Sequence, residues 1–401
     1  MKQHVEKLHR LANQKSRKVI GLMSGTSLDG LDVALCNIQN SGLDTLLQVE
    51  QFTTVPYTDA FRDEIRKIFA KSEIDFQQLC VLNPFIGITH AEMILECLKT
   101  WHIQPEHVDL IASHGQTVFH APKIQHGLAS FPNATLQIGD GDHIAVRTNI
   151  ITLSDFRQKH IAAGGEGAPL AVYGDYFLFS KKGENRILLN MGGIANFTIL
   201  PGQQKEEGFS QVFTTDTGPG NTLIDAYMRH FFNKPFDEHG EVARQGTPNE
   251  VLLEILKDNS FFAAPFPKTT GPEVFNFDYV ENAIEKSRLS YLSRADIIAT
   301  LTRLSADTIV DAIKQIIDNQ ETYTIYTSGG GAHNPVLMKY IQEQLTNCTM
   351  SFLDELGVSG DAKEAVLFAV LANEAIAGNG DKFRTREGVP AVTMGKISFP
   401  G

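Results

Sequence analysis

The chain has 401 residues, 42% hydrophobic and 20% charged, the balance of a soluble globular protein long enough for two ordinary domains. Its 47 acidic against 35 basic residues leave a formal net charge of -12, which argues against nucleic acid and anionic membrane as main partners, so any anionic ligand must be caught by local groups. Cys36, Cys80, Cys97 and Cys348 lie far apart with no C-x-x-C pair, as in a protein with reduced thiols, and no apolar stretch is expected to reach the roughly 20 residues that cross a bilayer.

The residues before Val19 are helix-compatible but charged throughout, with no apolar secretion segment, and read as a loosely docked extension. Val19–Met23 and Leu31–Ile38 read as strands. In the second, Leu31, Val33 and Leu35 fall on one face and Asp32, Ala34 and Cys36 on the other. The turn they flank, Gly21-Leu-Met-Ser-Gly-Thr-Ser-Leu-Asp-Gly30, carries glycines, hydroxyls and a carboxylate. Gly25 and Gly30 permit positive φ and close approach of main-chain N–H groups, the kind of concavity that binds phosphate. Thr26 and Ser27 add hydroxyl donors, and Asp29 is suited to holding a divalent cation through water. A polar hairpin whose Asp-Gly only makes a tight turn is the alternative at this segment.

Leu43–Thr54 is expected as a third strand, Asp59–Ala70 and Ile74–Thr100 as helices, and Val108–Gly115 as a short strand ending in a polar loop. Thr152–Leu170 reads as a loop rich in glycine, with Asp155, Phe156 and Arg157 at its start, entering a helix from about Leu170 to Phe179. Arg186–Leu200 then repeats strand, glycine turn and strand, about 170 residues after the first such unit. A strand over Gln211–Thr215 ends in Asp216-Thr-Gly-Pro-Gly-Asn221, followed by helices from near Thr222, over Val251–Leu256 and over Asp296–Ile317. Thr322–Ser328 is a strand running into Gly329, Gly330 and Gly331, and Asn334-Pro335 opens another helix.

Two halves that each begin with strand, turn and strand imply a duplicated α/β fold with a cleft between the halves, in which the two turns clamp a triphosphate. Coincidence in a chain with 33 glycines is the alternative. No glycine is followed by the Lys-Ser or Lys-Thr of a P-loop, no dinucleotide fingerprint joins a strand to a helix, and there is no G-x-S-x-G, H-E-x-x-H or Cys/His cluster. His114, His120 and His160 read as ordinary loop histidines. The expected division is an extension over 1–17, an N-terminal domain over 18–155 and a C-terminal domain over 156–401, whose last helix is free to pack back on the first.

This order of motifs resembles the actin, Hsp70 and sugar-kinase superfamily, with its two-domain actin-like, ribonuclease-H-like duplicated fold. Within it the wording is similar to the anhydro-N-acetylmuramic acid kinase family. The similarity rests on the first glycine turn, Ser113-His-Gly-Gln-Thr117, Leu136-Gln-Ile-Gly139, Asp155-Phe-Arg157 and Gly164-Gly-Glu-Gly-Ala-Pro-Leu170. It continues through Leu189-Asn-Met-Gly-Gly-Ile-Ala-Asn196, Asp216-Thr-Gly-Pro-Gly-Asn221, Ser328-Gly-Gly-Gly-Ala-His-Asn-Pro335 and Gly357-Val-Ser-Gly-Asp361 with Glu364.

The resemblance implies ATP and Mg2+ as cofactors. Ser24, Gly25, Thr26, Ser27, Leu28, Asp29, Gly30, Leu31 and Asp32 would form the first phosphate hairpin, Gly192, Gly193 and Asn196 the second, and Gly329, Gly330, Gly331 and Asn334 the adenosine turn, with Asp29 holding magnesium through water. It implies Asp216 as the base that activates water and Glu364 as a group orienting water or sugar. A helix N-cap for Asp216 and macrodipole stabilisation for Glu364 are the alternatives. It places His114, Gln116, Arg157, Gly165, Glu166, Gly220 and Asn221 at the sugar. Arg157 would meet its lactyl carboxylate with a guanidinium fork, or else serve a structural ion pair. Two positions depart from the family's usual wording, His160 where it has Asp and Glu166 where it has Gln. The implied reaction opens the anhydro bridge with water and phosphorylates O6, in a cytoplasmic homodimer. An ordinary hexose kinase without ring opening and a nucleotide-dependent filament protein are the competing readings.

Overall fold

A computed structural model describes residues 2–168, 170–202, 212–289, 291–318, 320–378 and 390–401. They form two compact units, Met1–Phe179 with Gly357–Gly401, and Ser180–Leu356.

In the first unit, β1 (Ser16–Ser24), β2 (Gly30–Gln39) and β3 (Leu46–Pro56) make an antiparallel meander. β4 (Leu110–Ala121) lies parallel to β1, β5 (Ala134–Ile138) pairs antiparallel with β4, and β6 (Ile151–Ser154) runs parallel to β4. In the second unit, β7 (Asn185–Met191), β8 (Ile194–Leu200) and β9 (Phe213–Pro219) are again an antiparallel meander. β10 (Tyr323–Ser328) is parallel to β7, and β11 (Cys348–Phe352) is parallel to β10. β12 (Lys396–Ser398) returns to the first unit and pairs with β6. The strand orders are therefore β12-β6-β4-β1-β2-β3 and β11-β10-β7-β8-β9. Both sheets carry one topology, so the duplication seen in the two glycine turns is present in the strand order, and the architecture is the duplicated actin-like α/β fold.

Burial explains why these strands form. Ile20, Leu22, Leu31, Val33, Leu35 and Ile111 enter one core with Ile86, Ile94 and Leu98 of the helix Phe76–Thr100. This helix is long and apolar enough to cross a membrane by length and composition, which corrects the expectation that no stretch is; here it contributes to the core of the first unit. In the second unit Ile187, Leu189 and Phe197 pack with Ile309, Val310 and Ile313 of the helix Arg294–Lys314.

The helix Lys363–Ala377 lies in the first unit, against β1. Lys363 pairs with Asp175 of the helix Ala171–Phe179 at 2.8 Å. These contacts put residues 156–179 and 357–401 with the first unit, so the boundary expected after residue 155 falls after Phe179, and the last helix packs back as the sequence allows. The N-terminal segment is also more firmly held than its charge pattern indicates. Leu11 of the helix Lys2–Asn13 is buried, and the buried Arg17 guanidinium donates to Leu11 O at 3.2 Å, Asn40 O at 2.8 Å and Asn373 Oδ1 at 2.6 Å. Those bonds satisfy a carbonyl near the helix end that has no partner within the helix.

Three further departures bear on the site. β4 is a twelve-residue strand through Ala121, so His114 and His120 are strand residues. Phe156–Ala162 is a helix, so Arg157 is helical where a loop was expected. β9 runs on to Pro219, so Asp216 lies inside a strand and not at its end, and Asn221 is the residue that caps the helix Thr222–Phe232.

Candidate active site

The turn between β1 and β2 presents Thr26, Ser27 and Asp29 to solvent and buries Ser24 and Leu28. Ser27 Oγ donates to Asp29 Oδ1. The positive φ of this turn, 60°, falls on Leu28 and not on Gly25 or Gly30. A Leu side chain in that conformation is strained, and its place in the core is what holds it there. Gly30 is required for another reason, since a Cβ there would lie 2.5 Å from Val55 O on β3. At Gly25 a Cβ would meet nothing nearer than Ser27 Oγ at 3.5 Å, so the space over it is open to a ligand.

Beneath the turn lies a buried polar chain. Ser24 Oγ donates to Gln116 Oε1 and shares a hydrogen bond with Tyr57 Oη at 2.7 Å, and Tyr57 Oη meets His90 Nε2 at 2.9 Å. Gln116 Nε2 donates to Gly25 O at 3.3 Å and to Thr117 O at 3.2 Å. Burial holds the proton affinity of His90 down to about 4, so its ring is neutral at physiological pH. The chain braces the turn from below. Tyr57→Phe would strip His90 Nε2 of its partner and is expected to cost about 1–3 kcal/mol in urea denaturation.

His114 is buried, and its Nε2 accepts from Arg157 Nε at 2.9 Å. Burial first, then Arg157, pushes its pKa down to about 3. Arg157 Nη1 donates to Gly167 O at 2.7 Å, and Gly167 N–H donates to His160 Nδ1 at 2.9 Å. His160 is buried with its pKa lowered to about 4, by burial and by Arg157. Its ring sits where a Cβ on Gly165 would come within 2.1 Å, so it supports the glycine loop from behind. Glu166 on that loop is exposed. Ser24, His114 and Gln116 are buried, each with at least one side-chain atom bonded to a neighbouring protein group.

Glu364 stands in the first turn of Lys363–Ala377. Desolvation raises its proton affinity, Arg157 lowers it and Asp32 raises it. Asp32 on β2 accepts from Thr54 Oγ1 at 2.5 Å. Its carboxyl is raised by burial and by Asp29 and Asp361, against the Thr54 bond.

In the second unit a polar row crosses four strands. Ser328, Asn190, Asn196 and Asp216 occupy successive register positions on β10, β7, β8 and β9. Directly paired residues project to one face, so these side chains line it together. Ser328 Oγ donates to Asn190 Oδ1 at 3.3 Å. The turn Gly192-Gly193 between β7 and β8 has its carbonyls occupied. Gly220 N–H and Thr222 N–H donate to Gly193 O at 2.8 and 3.0 Å, Asn221 N–H donates to Gly192 O at 2.8 Å, and Asn221 Nδ2 donates to Met191 O at 3.0 Å. A Cβ at Gly220 would lie 2.4 Å from Gly192 O, so the close approach requires glycine. Gly329 has φ 80°, and Gly331 lies against Met191. Asn334, expected at the adenosine, has its Oδ1 occupied as the N-cap of Pro335–Gln344, accepting from Val336 N and Leu337 N at 3.0 and 3.2 Å.

Asp216 is half-buried, and Thr270 N–H donates to its Oδ2 at 2.9 Å. Burial raises its proton affinity, the Thr270 bond lowers it and Glu273 raises it. Thr270 and Tyr57 carry no motif that would have singled them out, because each meets its partner only through the fold. Among the described residues no group of three or more His, Cys, Asp or Glu side chains is placed to ligate a metal directly.

The profile of the anhydro-N-acetylmuramic acid kinase family matches residues 17–397. Proteins of that name from Pseudoalteromonas atlantica strain T6c and Pseudoalteromonas translucida strain TAC 125 are 53% and 50% identical to this chain, covering 100% of both partners in each case. One from Caldanaerobacter subterraneus subsp. tengcongensis is 38% identical over 98% of this chain and 100% of its own length. The glycine turns and Asp216 thus stand in a sequence related to these proteins from end to end, and the chain belongs to the anhydro-N-acetylmuramic acid kinase family.

Proposed function

We propose that this chain is an ATP-dependent kinase that opens 1,6-anhydro-N-acetylmuramic acid with water and phosphorylates O6, giving N-acetylmuramic acid 6-phosphate and ADP in peptidoglycan amino-sugar recycling. Beside family membership, the observation that carries this reading is the half-buried Asp216, whose proton affinity is raised while Thr270 N–H holds one of its oxygens.

O6 begins as an ether oxygen with no proton to lose. Water attacks the anomeric carbon and gives its proton to Asp216. The bond from that carbon to O6 breaks, and its electron pair forms the new bond from O6 to the γ-phosphorus as the bond to ADP breaks. A carboxylate whose affinity lies above the ordinary range is a better base here. A second carboxylic acid for the leaving oxygen, as ordinary glycosidases use, is unnecessary because phosphorus takes it. Glu364 orients water or sugar. Arg157 has Nε and one Nη1 hydrogen engaged with His114 and Gly167, which leaves the other Nη1 hydrogen and Nη2 to meet the lactyl carboxylate.

The amides of Gly25 to Gly30 and of Gly192 and Gly193 receive phosphate oxygens. Asp29, exposed on the first turn, is the residue that would hold magnesium through water. That ion would neutralise charge on the transferring phosphoryl group. The proposal includes a cytoplasmic location, supported by four cysteines free of disulfides, and a homodimer, which the family resemblance implies.

Turnover in oxygen-18 water tests the ring opening. Label at the anomeric oxygen at early times, before exchange, is the expected result. Unlabelled 6-phosphate formed from an intact sugar would instead assign an ordinary hexose kinase.

A further inference from the structure

Asp216 lies on β9, the edge strand of its sheet, and the segment 261–270 runs along that edge. At Asp216 the segment makes one main-chain bond to the strand and two to its side chains. Asp216 N–H donates to Lys268 O at 3.0 Å, Lys268 N–H donates to Thr215 Oγ1 at 3.0 Å, and Thr270 N–H then takes Asp216 Oδ2 at 2.9 Å. The segment is anchored by the residues that precede this contact. Lys268 Nζ donates to Phe261 O and Phe262 O at 3.0 and 2.9 Å and lies 4.7 and 5.0 Å over the rings of Phe261 and Phe266. The Phe262 ring presses on Gly218, where a Cβ would approach to 2.8 Å.

The Thr270 hydroxyl is the remaining group. Its Oγ1 is buried and has no hydrogen-bond partner among the described residues. It is three covalent bonds from the amide nitrogen that holds the carboxylate, so it lies beside Asp216. A buried hydroxyl without a partner is destabilising, and a native structure retains one where a ligand or water completes it.

We propose that Thr270 works with Asp216 on the attacking water, its main-chain N–H fixing one carboxylate oxygen and its hydroxyl holding the water against the other. The proposal rests on Asp216 being the base. Fixing one oxygen leaves the second directed at the water, and a donor or acceptor on the far side of that water sets its orientation toward the anomeric carbon.

Two measurements test the two arms. Thr270→Val keeps the amide and the side-chain volume but removes the hydroxyl. It is expected to lower kcat about tenfold to a hundredfold with the KM for ATP unchanged, and Thr270→Ser is expected to recover most of the loss. Wild-type kcat in Thr270→Val overturns the hydroxyl arm. The amide arm is read in 15N-threonine-labelled wild-type protein, with the Thr270 amide assigned by its loss in Thr270→Val. Its proton shift is expected to follow the Asp216 titration and to stay flat in Asp216→Asn. A flat wild-type response from about pH 3 to 8 overturns that arm. This second readout needs no substrate, so a chain that fails to turn over the anhydro sugar defeats the base reading while the amide contact is still decided.

Discussion

Asp216→Asn is expected to retain ATP binding and to lose turnover of the anhydro sugar by about 10²–10⁴-fold, the usual contribution of a positioned general base. The amide keeps the shape of the side chain and an oxygen able to accept from Thr270 N–H, so packing at β9 is preserved. What it lacks is a basic oxygen for the proton of water. Isothermal titration with a non-hydrolysable ATP analogue and a coupled ADP assay separate the two effects, and wild-type turnover would remove Asp216 from the chemistry. The sign of the pH dependence follows from the raised affinity. The base works only when ionised, so the acid limb of kcat in the wild type should lie above the ordinary carboxylate range, and it should be absent from the residual activity of the variant.

Gly21→Ala is expected to be the most destabilising single-methyl addition in the first unit. The new Cβ would lie 1.9 Å from Ala365 O, 2.8 Å from Ala365 C and 3.1 Å from Ala369 Cβ. β1 has no room to retreat, because Gly21 is paired with Ala34 on β2 and with Ala112 on β4. The helix Lys363–Ala377 must move instead, against the buried residues that hold Val366, Phe368 and Val370. Overpacking of this kind costs about 1–3 kcal/mol, a fall in Tm of roughly 2–12 °C by calorimetry. Turnover should fall beyond the loss of folded protein, since Glu364 precedes the displaced Ala365. An unchanged Tm would mean the helix shifts without cost.

Several parts of the fold and site were legible along the chain because they are built from neighbours. The two-residue alternation of Leu31 to Cys36 announces β2, and the glycine turns announce both hairpins, since turn conformation is a property of the few residues that make it. Asp216 was legible through its string with Gly218 and Gly220. The inner supports were not. Asn373 reaches Arg17 across 356 positions, and Thr270 reaches Asp216 across 54. Gln116 reads as part of a polar loop, yet it lies in a buried strand, where its Oε1 accepts from Ser24, and His114 on the same strand accepts from Arg157. His160 reads as an ordinary loop histidine, and only its contacts show it bearing on Gly165 and Gly167.

The sequence by itself determined the repeated strand, turn and strand units, the family to which their wording belongs, and the carboxylate at 216. Tertiary structure alone decided which side chains line the site and which brace it, that Leu28 rather than a glycine takes the left-handed turn, and that Asp216 has a raised proton affinity and an amide partner. The reason is one of range. Turn and strand propensities act over a few residues, whereas burial and proton affinity are set by groups brought together from distant parts of the chain.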